Sequence, residues 1–166
     1  MKRQQTKDNR QQQLTSKVVG RRKVSIAYND RSKSFSLRTV ADWSRVVTWL
    51  LPRLCAGTVL ALAGPLGAGK TTCVQYLAQA FGIRKTLPSP TFSLLRTYRL
   101  PKPVNNITRL IHVDAYRIED ERDLLPLDLD AELRDGKTLL VLEWPENVRR
   151  WLKAQRCSIM LTIRVD

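Results

Sequence analysis

Two stretches of the chain are apolar at almost every position, Thr58-Val-Leu-Ala-Leu-Ala63 and Thr138-Leu-Leu-Val-Leu142. Runs this short and this unbroken predict strands covered on both faces, as in the middle of a parallel sheet. Between Val40 and Leu54 the apolar residues Val40, Trp43, Val46, Val47, Leu50, Leu51 and Leu54 recur at helical spacing. Thr39 supplies the N-cap of this helix, and Pro52 with Gly57 ends it. Thr71 to Phe81 reads as a second helix, closed by Gly82. A short strand is expected over Ser34 to Arg38. Pro88 to Leu100 reads as extended with a break at Pro90, Pro101 to Asn106 as a turn, and Thr108 to Val113 as a strand, so a hairpin is expected there. Glu119 to Leu133 has a helical composition, split at Pro126 and Leu127 and stopped by Gly136. Pro145 to Ala154 starts as a helix on its proline, and Ser158 to Val165 alternates as a closing strand. The pattern predicts a single α/β domain over residues 35–166, a mixed central sheet flanked by helices.

Charge changes the picture at the amino end. The 166 residues carry a net charge of +14, and residues 1–34 hold ten Lys or Arg against only Asp8 and Asp30. That segment is Gln-rich and nearly free of large apolar residues before Val18, which predicts a basic, disordered extension. Such a tail attracts RNA, tRNA included, without sequence preference, or is simply solvated. It is neither Ser-rich nor amphipathic enough for an organelle transit peptide, and it lacks the apolar core of a secretory signal. No apolar run approaches a membrane span. Cys55, Cys73 and Cys157 are isolated and odd in number, which points to reduced thiols and a cytoplasmic location. Cys73, on the apolar start of its helix, reads as packing.

Candidate chemistry begins at Gly64-Pro-Leu-Gly-Ala-Gly-Lys-Thr71, a complete G-x-x-x-x-G-K-[ST] loop set between the strand ending at Ala63 and the helix from Thr71. A chain this long meets that string by chance about once in two hundred. The strand–loop–helix context makes it a P-loop NTPase-like element. Its glycines allow backbone conformations closed to other residues. The amides of Leu66, Gly67, Ala68, Gly69 and Lys70 can then cradle polyphosphate, with Lys70 on the terminal phosphates and Thr71 on Mg²⁺.

Two carboxylates fall at strand ends, Asp114 after Leu110-Ile-His-Val113 and Glu143 after Thr138 to Leu142. Acids so placed hold Mg²⁺ or position an attacking water in phosphate-loop enzymes. A carboxylate ending a wholly apolar strand needs compensation, and a cation supplies it. The single histidine, His112, reads as a sheet-face contact. Trp144 either walls a nucleotide pocket or packs the core. No Asn-Lys-x-Asp guanine-reading motif occurs, which disfavours a GTPase; a small-molecule kinase remains the alternative, although no lid of clustered arginines is evident.

Four motifs stand in one order: Gly64 to Thr72, Ser89-Pro-Thr-Phe92, His112-Val-Asp-Ala-Tyr-Arg117 and Glu143-Trp-Pro-Glu146. Together they resemble the TsaE family, small bacterial ATPases needed for threonylcarbamoyladenosine formation on tRNA. The resemblance covers about Phe35 to Val165. It implies ATP bound at Leu66 to Thr72, Mg²⁺ held by Thr71 and Glu143, and an essential role for Asp114 near the metal. It makes Thr91 part of a switch-like segment and places Thr39 at the nucleotide base. It also implies TsaB and TsaD as partners, with the threonylcarbamoyl transfer itself performed by TsaD. One departure is Pro65, where the family usually has an acid.

Overall fold

A computed structural model describes residues 18–29 and 31–166. Seven strands form one sheet: β1 (Val18–Tyr28), β2 (Arg31–Thr39), β3 (Val59–Ala63), β4 (Leu95–Val104), β5 (Ile107–Asp114), β6 (Thr138–Glu143) and β7 (Ser158–Val165), in the order β2-β1-β7-β3-β6-β5-β4. The inner four strands run parallel, β3 between β7 and β6, and β6 against β5. Antiparallel hairpins close both edges, β1–β2 on one side and β4–β5 on the other. The expected mixed α/β sheet with flanking helices is therefore what the chain forms.

The two apolar runs are β3 and β6, paired in parallel at the centre with every β6 residue buried. Alternation along β3 sends Leu60 and Leu62 into one core and Val59 and Ala61 into the other. The first core lies under α1 (Trp43–Leu50) and α2 (Lys70–Ala80), which bring Trp43, Val46, Leu50, Val74 and Leu77. The second receives Leu129 from α3 (Leu129–Arg134) and Leu152 from α4 (Arg149–Ala154). With both faces covered, the C-terminal ends of β3, β5 and β6 open on one rim, where an open α/β sheet places ligands.

The sheet starts earlier than expected. Residues 18–28 and 31–34, assigned in the sequence to a disordered extension, are strand, and β1 bridges β2 and β7. Val24 and Ile26 alternate with Lys23 and Ser25 and are fully buried, so a two-residue period was present beneath the basic composition. The rest of the expected extension, residues 1–17, lies outside the described residues. The helix expected over Val40 to Leu54 is α only from Trp43 to Leu50, with 3₁₀ turns at Val40–Asp42 and Leu51–Arg53. Strand β4 continues past Pro101 and Pro103, its register with β5 shifting between Arg99 and Val104, because a sheet edge tolerates residues without an N–H. Its hairpin turns at Asn105 and Asn106, with φ of 50° and 65°.

Candidate functional site

The loop between β3 and α2 is shaped by two glycines for different reasons. At Gly64 (φ +150°) a Cβ would fall 2.8 Å from the Ile163 carbonyl oxygen, so β7 leaves no room for a side chain. Gly69 (φ +105°) caps α2 in a conformation that side chains disfavour, with Trp43 packed against it. Between them the chain turns, Ala68 N donating to Pro65 O at 3.2 Å.

Lys70 follows at the start of α2, almost wholly buried. Its ammonium donates to Gly64 O at 2.7 Å and Pro65 O at 3.0 Å and lies 3.7 Å from the centre of the Trp144 ring. Burial pushes its pKa down, and the opposing fields of Glu143, Glu146 and Asp114 recover part of the loss. The lysine is thus held by weak neutral acceptors with two strand-end carboxylates nearby. A polyphosphate would give it full counter-charges.

Asp114 and Glu143 are register partners at the ends of adjacent strands β5 and β6. Glu143 Oε1 accepts from Thr71 Oγ1 and from His112 Nε2, each at 2.9 Å. Asp114 Oδ2 accepts from Ser89 Oγ at 2.8 Å and Thr91 Oγ1 at 2.7 Å, while Oδ1 takes the Tyr116 amide at 3.1 Å. Both acids are only 3% exposed, so these donors are what make their burial tolerable. One carboxylate is thereby tied to the loop through Thr71. The other is tied to the Ser89–Thr91 segment.

A cavity of about 370 Å³ joins these parts. Its walls are Leu66 to Thr72, Ser89, Thr91, Asp114, Tyr116, Glu143 and Trp144. Every site residue expected from the sequence lines it except Thr39. Thr39 instead begins the turn that carries Trp43 against Gly69, its amide and hydroxyl bound by the Asp42 carboxylate at 2.9 and 3.2 Å.

Trp144, left open between wall and core, lines the cavity. It sits at φ +61°, unusual for a bulky residue, with its ring 4.9 Å from that of Tyr116. Four further residues carry roles that sequence reading missed. His112, read as a sheet-face contact, is fully buried and holds Glu143. Ser89 shares Asp114 with Thr91, and Tyr116 closes the wall. Arg22, placed by its basic neighbours in the extension, donates to Gly67 O in the loop at 3.0 Å. The motif around His112 could have raised that residue; nothing local marked Arg22. Cys73 is fully buried, burial raising its thiol far above the ordinary range, in keeping with packing.

The oxygens available to a cation are the Thr71 hydroxyl and the Glu143 and Asp114 carboxylates, hard donors on one wall. They fall short of an all-protein cage. Mg²⁺ suits such a set, since it keeps several waters and takes its remaining ligands from substrate phosphates.

Sheet, glycine-shaped loop and strand-end acids together define a phosphate-loop α/β domain. The family model described as "Threonylcarbamoyl adenosine biosynthesis protein TsaE" matches residues 37–165. A tRNA threonylcarbamoyladenosine biosynthesis protein TsaE of Mycobacterium tuberculosis (strain ATCC 25618 / H37Rv) is 37% identical over 132 residues, 76% of each chain. The protein of the same description from Treponema pallidum (strain Nichols) is 35% identical over 136 residues, 82% of this chain and 93% of its own. That from Bacillus subtilis (strain 168) is 36% identical over 105 residues, 63% of this chain and 61% of its own. The chain belongs to the TsaE family.

Proposed function

We propose that this chain binds ATP with Mg²⁺ and hydrolyses it as the ATPase component of tRNA threonylcarbamoyladenosine biosynthesis, acting with TsaB and TsaD in the cytoplasm. The observation that carries the reading is the meeting of Lys70, Thr71, Glu143 and Asp114 around one cavity. The cradle amides and Lys70 bind and orient the β- and γ-phosphates, and Thr71 and Glu143 hold the cation. Mg²⁺, when bound, neutralises charge on the phosphoryl oxygens. Asp114, through Ser89 and Thr91, links the region beside the γ-phosphate to a segment able to respond to hydrolysis. Attack of water on the γ-phosphorus breaks its bond to the bridging oxygen and releases ADP and inorganic phosphate.

Partner docking is supported by apolar side chains next to the cavity. Leu66 of the loop is 78% exposed and Phe92, beside Thr91, is 87% exposed. Two large apolar groups left in water beside a site suit a contact surface. No helix of the described residues is long and apolar enough to cross a membrane.

The test is capture of purified TsaB and TsaD on the immobilised chain with and without ATP, alongside tRNA modification in cells carrying only Lys70→Ala or Glu143→Ala. Nucleotide-dependent capture and loss of modification are expected. Normal modification in either strain would overturn the proposal. Removing residues 1–17 tests whether the basic extension recruits tRNA: weaker tRNA binding supports that role, and unchanged binding removes it.

A further inference from the structure

Arg22 comes from the opposite end of the chain to the motifs, yet its guanidinium meets the phosphate loop. On β1 it is flanked in register by Leu37 and Val165. One terminal nitrogen donates to Gly67 O at 3.0 Å, and the other lies 3.3 Å from where a Cβ on Gly69 would sit. Its Nε is buried with no partner among the described residues, as is the indole nitrogen of Trp43 on the same side of Gly69. An orphaned buried donor calls for an explanation, and the bond of the same guanidinium to the loop carbonyl offers one.

The consequence follows from peptide geometry. In a trans peptide the carbonyl oxygen and the next amide hydrogen point in opposite directions. By fixing Gly67 O, Arg22 therefore holds the 67–68 peptide from one side, while the Ala68 N–H, donating to Pro65 O at 3.2 Å, holds it from the other. The two bonds together set the loop that carries the cradle amides. Rotation of this peptide turns ψ of Gly67 and φ of Ala68. Gly67 (φ +73°), with nothing within 4 Å of where a Cβ would sit, offers little resistance of its own, so the Arg22 bond adds restraint where the backbone has least. The guanidinium also sets a permanent positive charge against the outside of the loop.

We propose that Arg22 is a positioning residue for the nucleotide: it locks the 67–68 peptide and adds charge behind the polyphosphate, so that triphosphate affinity depends on a strand outside the phosphate-loop motif. The inference rests on the ATP reading above.

The test is calorimetric titration of the full chain with Mg²⁺ and a non-hydrolysable ATP analogue, for wild type, Arg22→Ala, Arg22→Lys, Lys23→Ala and Lys70→Ala, with melting curves for each. Steady-state ATPase assays of the wild type and the Arg22 variants follow, with TsaB and TsaD present. Arg22→Ala is expected to weaken binding about tenfold and to raise KM with little change in kcat. Arg22→Lys, which keeps the charge, should fall between wild type and Ala. Lys23→Ala, exposed on the same strand, should bind as wild type. Wild-type affinity in Arg22→Ala, equal losses in Ala and Lys, or equal losses in Lys23→Ala would overturn the inference while leaving ATP binding intact. Failure of the wild type to bind the analogue, or undiminished binding by Lys70→Ala, would overturn the ATP reading and this inference with it.

Discussion

Glu143 offers a way to separate chemistry from folding with one side chain. Its Oε1 is the common acceptor for the Thr71 hydroxyl and the His112 Nε2–H. Glu143→Ala removes that acceptor. His112, fully buried and without a partner at Nδ1 among the described residues, then loses the one hydrogen bond its ring makes there. An unsatisfied buried donor costs about 1–3 kcal/mol, and the one lost methylene adds about 0.8 kcal/mol. A total near 2–4 kcal/mol should lower the denaturation midpoint while leaving the protein folded. Glu143→Gln keeps an amide oxygen in the same place and should cost less than about 1 kcal/mol. Yet Gln has no charge to offer a cation, so both variants should lose about 10²–10³ in ATP turnover, the scale for one electrostatic group in a site. Urea denaturation reports the first quantity and phosphate release with TsaB and TsaD present the second. If Glu143→Gln turned over ATP within about threefold of wild type, the metal-holding role would be wrong. If it were as destabilised as the alanine variant, the hydrogen-bond reasoning would be wrong.

Gly64→Ala should destabilise by about 2–5 kcal/mol, combining backbone strain with overpacking against the Ile163 carbonyl 2.8 Å away. Gly67→Ala, with nothing within 4 Å, should cost only about 1 kcal/mol, and equal melting losses would refute the distinction. The Asp42 carboxyl is held below its usual range chiefly by the Thr39 amide and then the Arg38 amide. A depressed carboxylate contributes stability above its unfolded pKa of about 3.9 and loses it as pH falls through the lower folded value. Asp42→Ala should thus cost about 1 kcal/mol at neutral pH, the gap closing in acid, and a pH-independent gap would contradict this. Thr91→Ala removes one of two hydroxyl donors to Asp114 Oδ2 and should lower ATP turnover while nucleotide affinity stays near wild type. A loss confined to affinity would place Thr91 on the bound nucleotide instead.

The central strands, the loop and both acids were legible because their signals are local: two unbroken apolar runs, fixed glycines and charges ending strands. The β4–β5 hairpin was legible in kind, although its turn lies at Asn105 and Asn106 rather than across the prolines. What escaped was decided by pairing across the sheet. Strand β1 draws its order from β2 and β7, and its basic residues concealed the alternation of Val24 and Ile26. Arg22 reaches Gly67 across 45 positions of sequence, and His112 reaches Glu143 across 31. Contacts of that span leave no mark on a local window, so such positioning residues emerge only with the fold.

Structure determination of the chain with Mg²⁺ and a non-hydrolysable ATP analogue puts the greatest weight on the fewest atoms. The β- and γ-phosphates should lie on the amides of Leu66 to Thr72, with the Lys70 ammonium turned from the Gly64 and Pro65 carbonyls onto phosphate oxygen and the cation between Thr71 and Glu143. Phosphates bound elsewhere, or a Lys70 still on the loop carbonyls with nucleotide present, would contradict the grip on which every step above depends.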